Sequence, residues 1–108
     1  MKKIEFKREK DTFVIYFYGE IDNKACSEYK ETIIKVINEY KYLDIVLDFS
    51  NVTFIDSSGI GLIIGRYNQM KNTNNELIIR GTNRRIDKLF EISGLWKIIK
   101  SEKKVILW

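Results

Sequence analysis

A pair of serines follows an aspartate in Asp56-Ser57-Ser58-Gly59, where a brief apolar stretch (residues 52–55) gives way to a helical spacing of apolar residues. A serine hydroxyl can act as a nucleophile, cap a helix, or accept a phosphate. The first role normally needs a general base, most often histidine, and the chain contains no histidine. That removes serine triads and most zinc hydrolase arrangements. A nucleophile elbow also requires glycine two places before the serine, where Ile55 or Asp56 stands. Ser57 and Ser58 are thus left as N-caps or as phosphate acceptors. A helix start suits the latter, because unpaired amides and the positive end of the helix dipole accommodate a charge of about −1.5 to −2 with little damage to the fold. A partner closing over the neutral hydroxyl would meet a bulky, charged group after modification.

The glycines that follow invite a second chemistry. Gly59-Ile60-Gly61 with Gly65 looks like a dinucleotide-binding turn, but its spacing has one residue too many and no P-loop lysine accompanies it. No cofactor is expected. Gly61 and Gly65 lie four apart on one helical face, where missing side chains are expected to let another backbone or a partner approach closely. Cys26 is the sole cysteine, so neither a disulfide nor a zinc site can be built, no metal is expected, and a reducing, cytoplasmic setting follows. The net charge of +4 comes from lysines and arginines interleaved with 15 acidic residues, without stacking aromatics or a recognition-helix pattern, so nucleic-acid binding is not expected. No apolar run approaches the roughly 18 residues of a membrane span, and the amino terminus is charged.

The elements that must position these residues are legible from periodicity. With 108 residues, 44% hydrophobic and 31% charged, residues 1–108 read as one globular domain. Residues 13–18 are apolar on both faces, as in a central strand, and residues 4–7 can pair with them through a polar turn at 9–11. Gly19-Glu20-Ile21-Asp22 is expected to break the run. Ala25, Tyr29, Ile33, Val36, Ile37 and Tyr40 then mark an amphipathic helix capped by Asp22 or Asn23. Ile45-Val46-Leu47 reads as a short buried strand, with Asp48-Phe49-Ser50-Asn51 turning out of it. The strand, helix, strand order favours a parallel crossover. Ile60, Ile63, Ile64, Tyr67 and Met70 mark a second helix, and residues 72–75 are turn chemistry. Leu77-Ile78-Ile79 reads as a strand, and Thr82 or Asn83 caps a third helix ending at Ser93-Gly94. Ile98-Ile99 is a candidate last strand, and residues 105–108 are too short to classify. The class is α/β.

Several segments together resemble a known family. Val46-Leu47-Asp48 through Phe54-Ile55-Asp56-Ser57-Ser58-Gly59-Ile60-Gly61-Leu62 is similar to the signature of the anti-sigma factor antagonists, bacterial members of the STAS domain family. Gly19-Glu20-Ile21-Asp22, Gly65-Arg66-Tyr67 and Lys88-Leu89-Phe90-Glu91-Ile92-Ser93-Gly94-Leu95 resemble three further motifs of that family, in order. Residues 65–71 and 95–99 look most like its sporulation branch, rather than its general-stress branch. That branch continues into a longer carboxy-terminal helix than the segment up to Trp108 offers.

The resemblance implies a single STAS-like domain, a mixed sheet with packed helices, that acts as a binding switch and not as an enzyme. The unphosphorylated form would bind an anti-sigma factor that is also a serine kinase and displace the sigma factor. The kinase would phosphorylate Ser57, and a metal-dependent serine phosphatase would reverse it. Glu20 and Asp22 match acidic positions near the phosphoacceptor and are candidates for contacting the kinase, although solvation and helix capping account for them equally well. Asp56 would orient the acceptor or cap the helix, Ser58 occupies a serine or threonine position, and Gly61 and Arg66 lie where the docked kinase would rest. Two readings compete. In one, the glycine turn serves a small nucleotide-binding enzyme, marked by stoichiometric nucleotide binding without a partner. In the other, an unphosphorylated STAS module sits in a large sensory assembly, with which it would co-purify.

Overall fold

Alternation along residues 13–18 sends Phe13, Ile15 and Phe17 into the core and Tyr16 and Tyr18 to the opposite face, where they are only partly buried. In the computed structural model, which describes residues 4–102, these residues belong to β2 (Thr12–Ile21), paired antiparallel with β1 (Ile4–Glu9) from Ile4↔Phe17 to Glu9↔Thr12. The turn between them is Lys10-Asp11, with Lys10 at φ 55°.

The expected break at Gly19-Glu20-Ile21-Asp22 is corrected, because β2 runs on to Ile21. Its register with β3 (Asp44–Ile55) shifts between Tyr16 and Tyr18 and again between Gly19 and Glu20, where Gly19 sits at φ 75°. These irregularities bend the strand without ending it. Asp48-Phe49-Ser50-Asn51 does not turn out of the sheet either. It lies inside β3, and residues 52–55 are that strand's second half. The polar residues are accommodated by local bonds, since Asp48 Oδ1 accepts from the Ser50 amide at 2.8 Å and Phe49 is buried against Phe17, ring centroids 5.1 Å apart.

α1 (Asn23–Tyr40) connects β2 to β3, α2 (Ser57–Met70) connects β3 to β4 (Leu77–Arg80), and α3 (Arg84–Ile92) connects β4 to β5 (Lys100–Ser101). The last four strands are parallel, and the described residues form one mixed sheet in the order β1-β2-β3-β4-β5. The α/β class and the mixed sheet with packed helices thus agree with expectation. Paired rows alternate across it. Ile15, Leu47 and Ile79 share a row buried with Ile33, Ile37, Ile63, Ile86 and Phe90 from the helices. The next row, Tyr16, Asp48 and Arg80, carries a polar cluster on the other face. Arg80 Nε donates to Asp48 Oδ2 at 2.7 Å and Arg80 Nη2 to the Tyr16 hydroxyl at 3.1 Å.

α3 begins at Asn83, whose Oδ1 accepts from the Ile86 amide at 2.8 Å, and ends at Ser93 with Gly94 left-handed at φ 81°, as the glycine placement predicts. The last strand is displaced from Ile98-Ile99. A single 3-10 turn (Leu95–Lys97) intervenes, Ile99 is buried as an anchor, and pairing starts at Lys100. Residues 105–108 lie outside the described part. Among the described residues no helix is long and apolar enough to cross a membrane.

Candidate functional site

The ends of β2 and β3 lie side by side, with Glu20 paired to Phe54 and Ile21 to Ile55, and the Asp56 amide donating to the Ile21 carbonyl at 3.4 Å. Both strands then give way to a helix at the same edge of the sheet. Asp22 caps α1, its Oδ1 accepting from the Ala25 amide at 2.9 Å. Asp56 caps α2, its Oδ1 accepting from the amides of Ser58 at 2.9 Å and Gly59 at 3.3 Å. The two carboxylates therefore converge. Cys26, buried between them, has its thiol pKa pushed up by burial and then by the charges of Asp56 and Asp22.

This settles what the serines do for the fold. Asp56 is the cap, so neither hydroxyl is spent on closing the first turn. Ser57 is the first residue of α2 and is exposed, whereas Ser58 is partly buried. Asp56 takes two of the free amides of the first turn, and Ser57 stays exposed beside the capping residue.

Four of the five positions on the expected stripe of α2 meet the core: Ile63 and Met70 are buried, Ile60 and Tyr67 pack against it partly covered, and only Ile64 is 38% exposed, while Gly59, Leu62 and Arg66 are buried beside them. Gly59 fixes this orientation. A Cβ there would overlap the Ile55 side chain and stand 3.0 Å from the Ile21 carbonyl oxygen. No backbone of the described residues approaches Gly61 or Gly65, where a Cβ would meet nothing within 4 Å, and the close approach within the fold falls at Gly59.

Arg66 also departs from expectation. As a residue on which a docked partner rests it should be presented at the surface, yet it is 7% exposed and its Nε and Nη1 are buried without a hydrogen-bond partner. Burial lowers its pKa.

The remaining candidates divide between two neighbouring surfaces. Ser57, Gly61 and Ile64 share the outer face of α2, with Glu20 and the 45% exposed Phe54 at the adjacent strand ends. Ser58, Gly61 and Arg66 line a groove of about 420 Å³ between α1 and α2. Gly61 belongs to both. Phe54 and Ile64 were missed as surface residues because their apolar character counts toward a core; only the clash at Gly59, which needs coordinates, reveals that Ile64 points out.

The chain matches the model of the STAS domain over residues 3–106. It is 33% identical over 98 residues to an anti-sigma-B factor antagonist of Listeria monocytogenes, covering 90% of this chain and 85% of that one. An anti-sigma F factor antagonist of Paenibacillus polymyxa is 29% identical over 97 residues, covering 90% and 83%. In three dimensions the chain is similar to SpoIIAA, a Bacillus cell fate determinant solved in its phosphorylated form, with a TM-score of 0.68 at 24% identity over 94% of this chain and 92% of that one. Signature, fold and relatives agree: the chain belongs to the STAS domain family and has anti-sigma factor antagonists among its relatives.

Proposed function

We propose that the protein is an anti-sigma factor antagonist that binds an anti-sigma factor serine kinase in its unphosphorylated form, releases the sigma factor, and is switched off by phosphorylation of Ser57. The observation that carries this reading is the exposed Ser57 side chain on the first turn of α2, left free by the Asp56 cap. Phosphorylation would place about −1.5 to −2 charges beside Asp56 and close to Glu20. The docking face would become strongly acidic while the core is untouched. Gly61, Ile64 and Phe54 supply the apolar part of that face, and Glu20 its charge. Asp22 and Asp56 act mainly through the caps, and Ser58 lines the neighbouring groove.

A metal-dependent serine phosphatase would restore binding, and a cytoplasmic setting suits every participant. The sporulation branch is supported by the segments at 65–71 and 95–99. Overall similarity does not favour it, since an anti-sigma F factor antagonist and an anti-sigma-B factor antagonist stand at 29% and 33% identity. The test is a pull-down from a lysate of the source bacterium with unphosphorylated protein and with Ser57→Asp. Recovery of a small kinase by the first and not the second supports the proposal; equal recovery, or none, contradicts it.

A further inference from the structure

Among the described residues Arg66 is a buried cation with no ion-pair partner, an arrangement that costs stability. Gln69 Oε1, a buried acceptor on the same helix, is also unpaired, so the two do not satisfy each other. Gln69 is instead engaged through Nε2, which donates to the Ile34 carbonyl and to Asn38 Oδ1, both at 2.9 Å. Those bonds tie α1 to α2. One turn back, Arg66 lines the groove from α2 and Lys30 lines it from α1. Ser27 and Ser58 add hydroxyls, and Gly61 and Gly65 leave its α2 wall without side chains.

The charges are asymmetric along this groove. Asp22 and Asp56 stand at the helix starts, each engaged by backbone amide donors, while the Arg66 end has two cations and no ion-pair partner among the described residues. We infer that the groove between α1 and α2 is a binding site for a small phosphate-bearing molecule, whose phosphate is held between Arg66 and Lys30. A planar guanidinium and an ammonium suit a dianion with several acceptor oxygens. The groove, at about 420 Å³, has room for the organic part of a monoester toward Ser58. Because Nε and Nη1 are buried, binding includes a turn of the guanidinium toward the groove. The site stands independently of the role proposed for Ser57, although Gly61 joins its rim to the docking face.

The experiment titrates isotope-labelled protein with inorganic phosphate and with glycerol phosphate, against chloride and acetate at equal ionic strength, following the Arg66 Nε–H and Gly65 amide signals by NMR. Saturable shifts of both with either phosphate probe, and not with chloride, are expected. Lys30→Gln, at an exposed position that leaves folding intact, is expected to weaken binding by roughly tenfold, the loss of one charge-assisted contact. Gly65→Leu should abolish it by filling the groove. Shifts that do not saturate, that are unchanged in Lys30→Gln and Gly65→Leu, or that acetate alone produces would overturn the inference. Phosphorylation of Ser57 by a kinase is read separately by mass, so failure of one claim is distinguishable from failure of the other.

Discussion

The amide of Asp56 donates to the carbonyl of Ile21 across 3.4 Å, joining the last residue of β2 to the residue that caps α2. Through this bond the two helix starts, with their capping carboxylates, occupy one edge of the sheet. Ser57 and Glu20 owe their proximity to it, although 37 positions of sequence separate them.

Gly59 is the packing element of that junction, and its substitution should be felt in stability. Gly59→Ala is expected to cost about 1–3 kcal/mol, since either Ile55 or the Ile21 backbone must shift. Gly61→Ala meets open space within a helix and should stabilise by roughly 0.5–1 kcal/mol. Urea denaturation of the two variants checks both signs.

The caps make a second prediction. Asp56→Ala leaves the amides of Ser58 and Gly59 without their acceptor and should cost about 1–2 kcal/mol, while Asp56→Asn retains a capping oxygen and recovers most of it. Thermal melting of the pair separates capping from charge.

On the sheet's other face, burial opposes ionisation of Asp48, but its bonds to Arg80 and to Ser50 outweigh this and hold the carboxyl below its ordinary value. A depressed carboxylate contributes stability that is full above its unfolded pKa of about 4 and is lost as pH falls through the folded value. Asp48→Asn should therefore destabilise at neutral pH, by about 2–3 kcal/mol with Arg80 left partly exposed, and should flatten the acid limb of the stability profile. Denaturation midpoints between neutral pH and the acid transition test this.

Phe54 and Glu20 contribute surface rather than core. Glu20→Ala should leave stability within about 0.5 kcal/mol of the parent and the half-buried Phe54→Ala should cost about 1–2 kcal/mol, while both weaken capture of the anti-sigma factor, more so for the aromatic. Equilibrium binding beside a denaturation curve separates the two effects.

What the sequence disclosed, and what it hid, follows from the range of the interactions involved. The caps were narrowed to Asp22 or Asn23 and to Thr82 or Asn83, of which the structure selects Asp22 and Asn83, while strand type and the stripe of α1 depend on neighbours a few residues away and were readable. The length of β3 was not, because Asp48-Phe49-Ser50-Asn51 has the composition of a turn, and only pairing with β2 and β4 keeps it extended. The stripe of α2 was legible except at Ile64, since its apolar residues nearly encircle the helix and the packing of Gly59 on Ile21, a contact across 38 positions, leaves Ile64 outside. Local chemistry alone left Ser57 as a cap or a phosphate acceptor, and only the resemblance of its motif singled it out; the buried Arg66 and the exposed Phe54 were not visible by either route.

The central claim concerns one hydroxyl, and the most direct measurement is to incubate the protein with the anti-sigma factor kinase and ATP and to map the product by peptide mass. The account predicts a single phosphate, on Ser57, with loss of kinase binding upon its addition and no reaction in Ser57→Ala. A phosphate found on Ser58 or elsewhere, or a Ser57→Ala protein phosphorylated as readily as the parent, would contradict it.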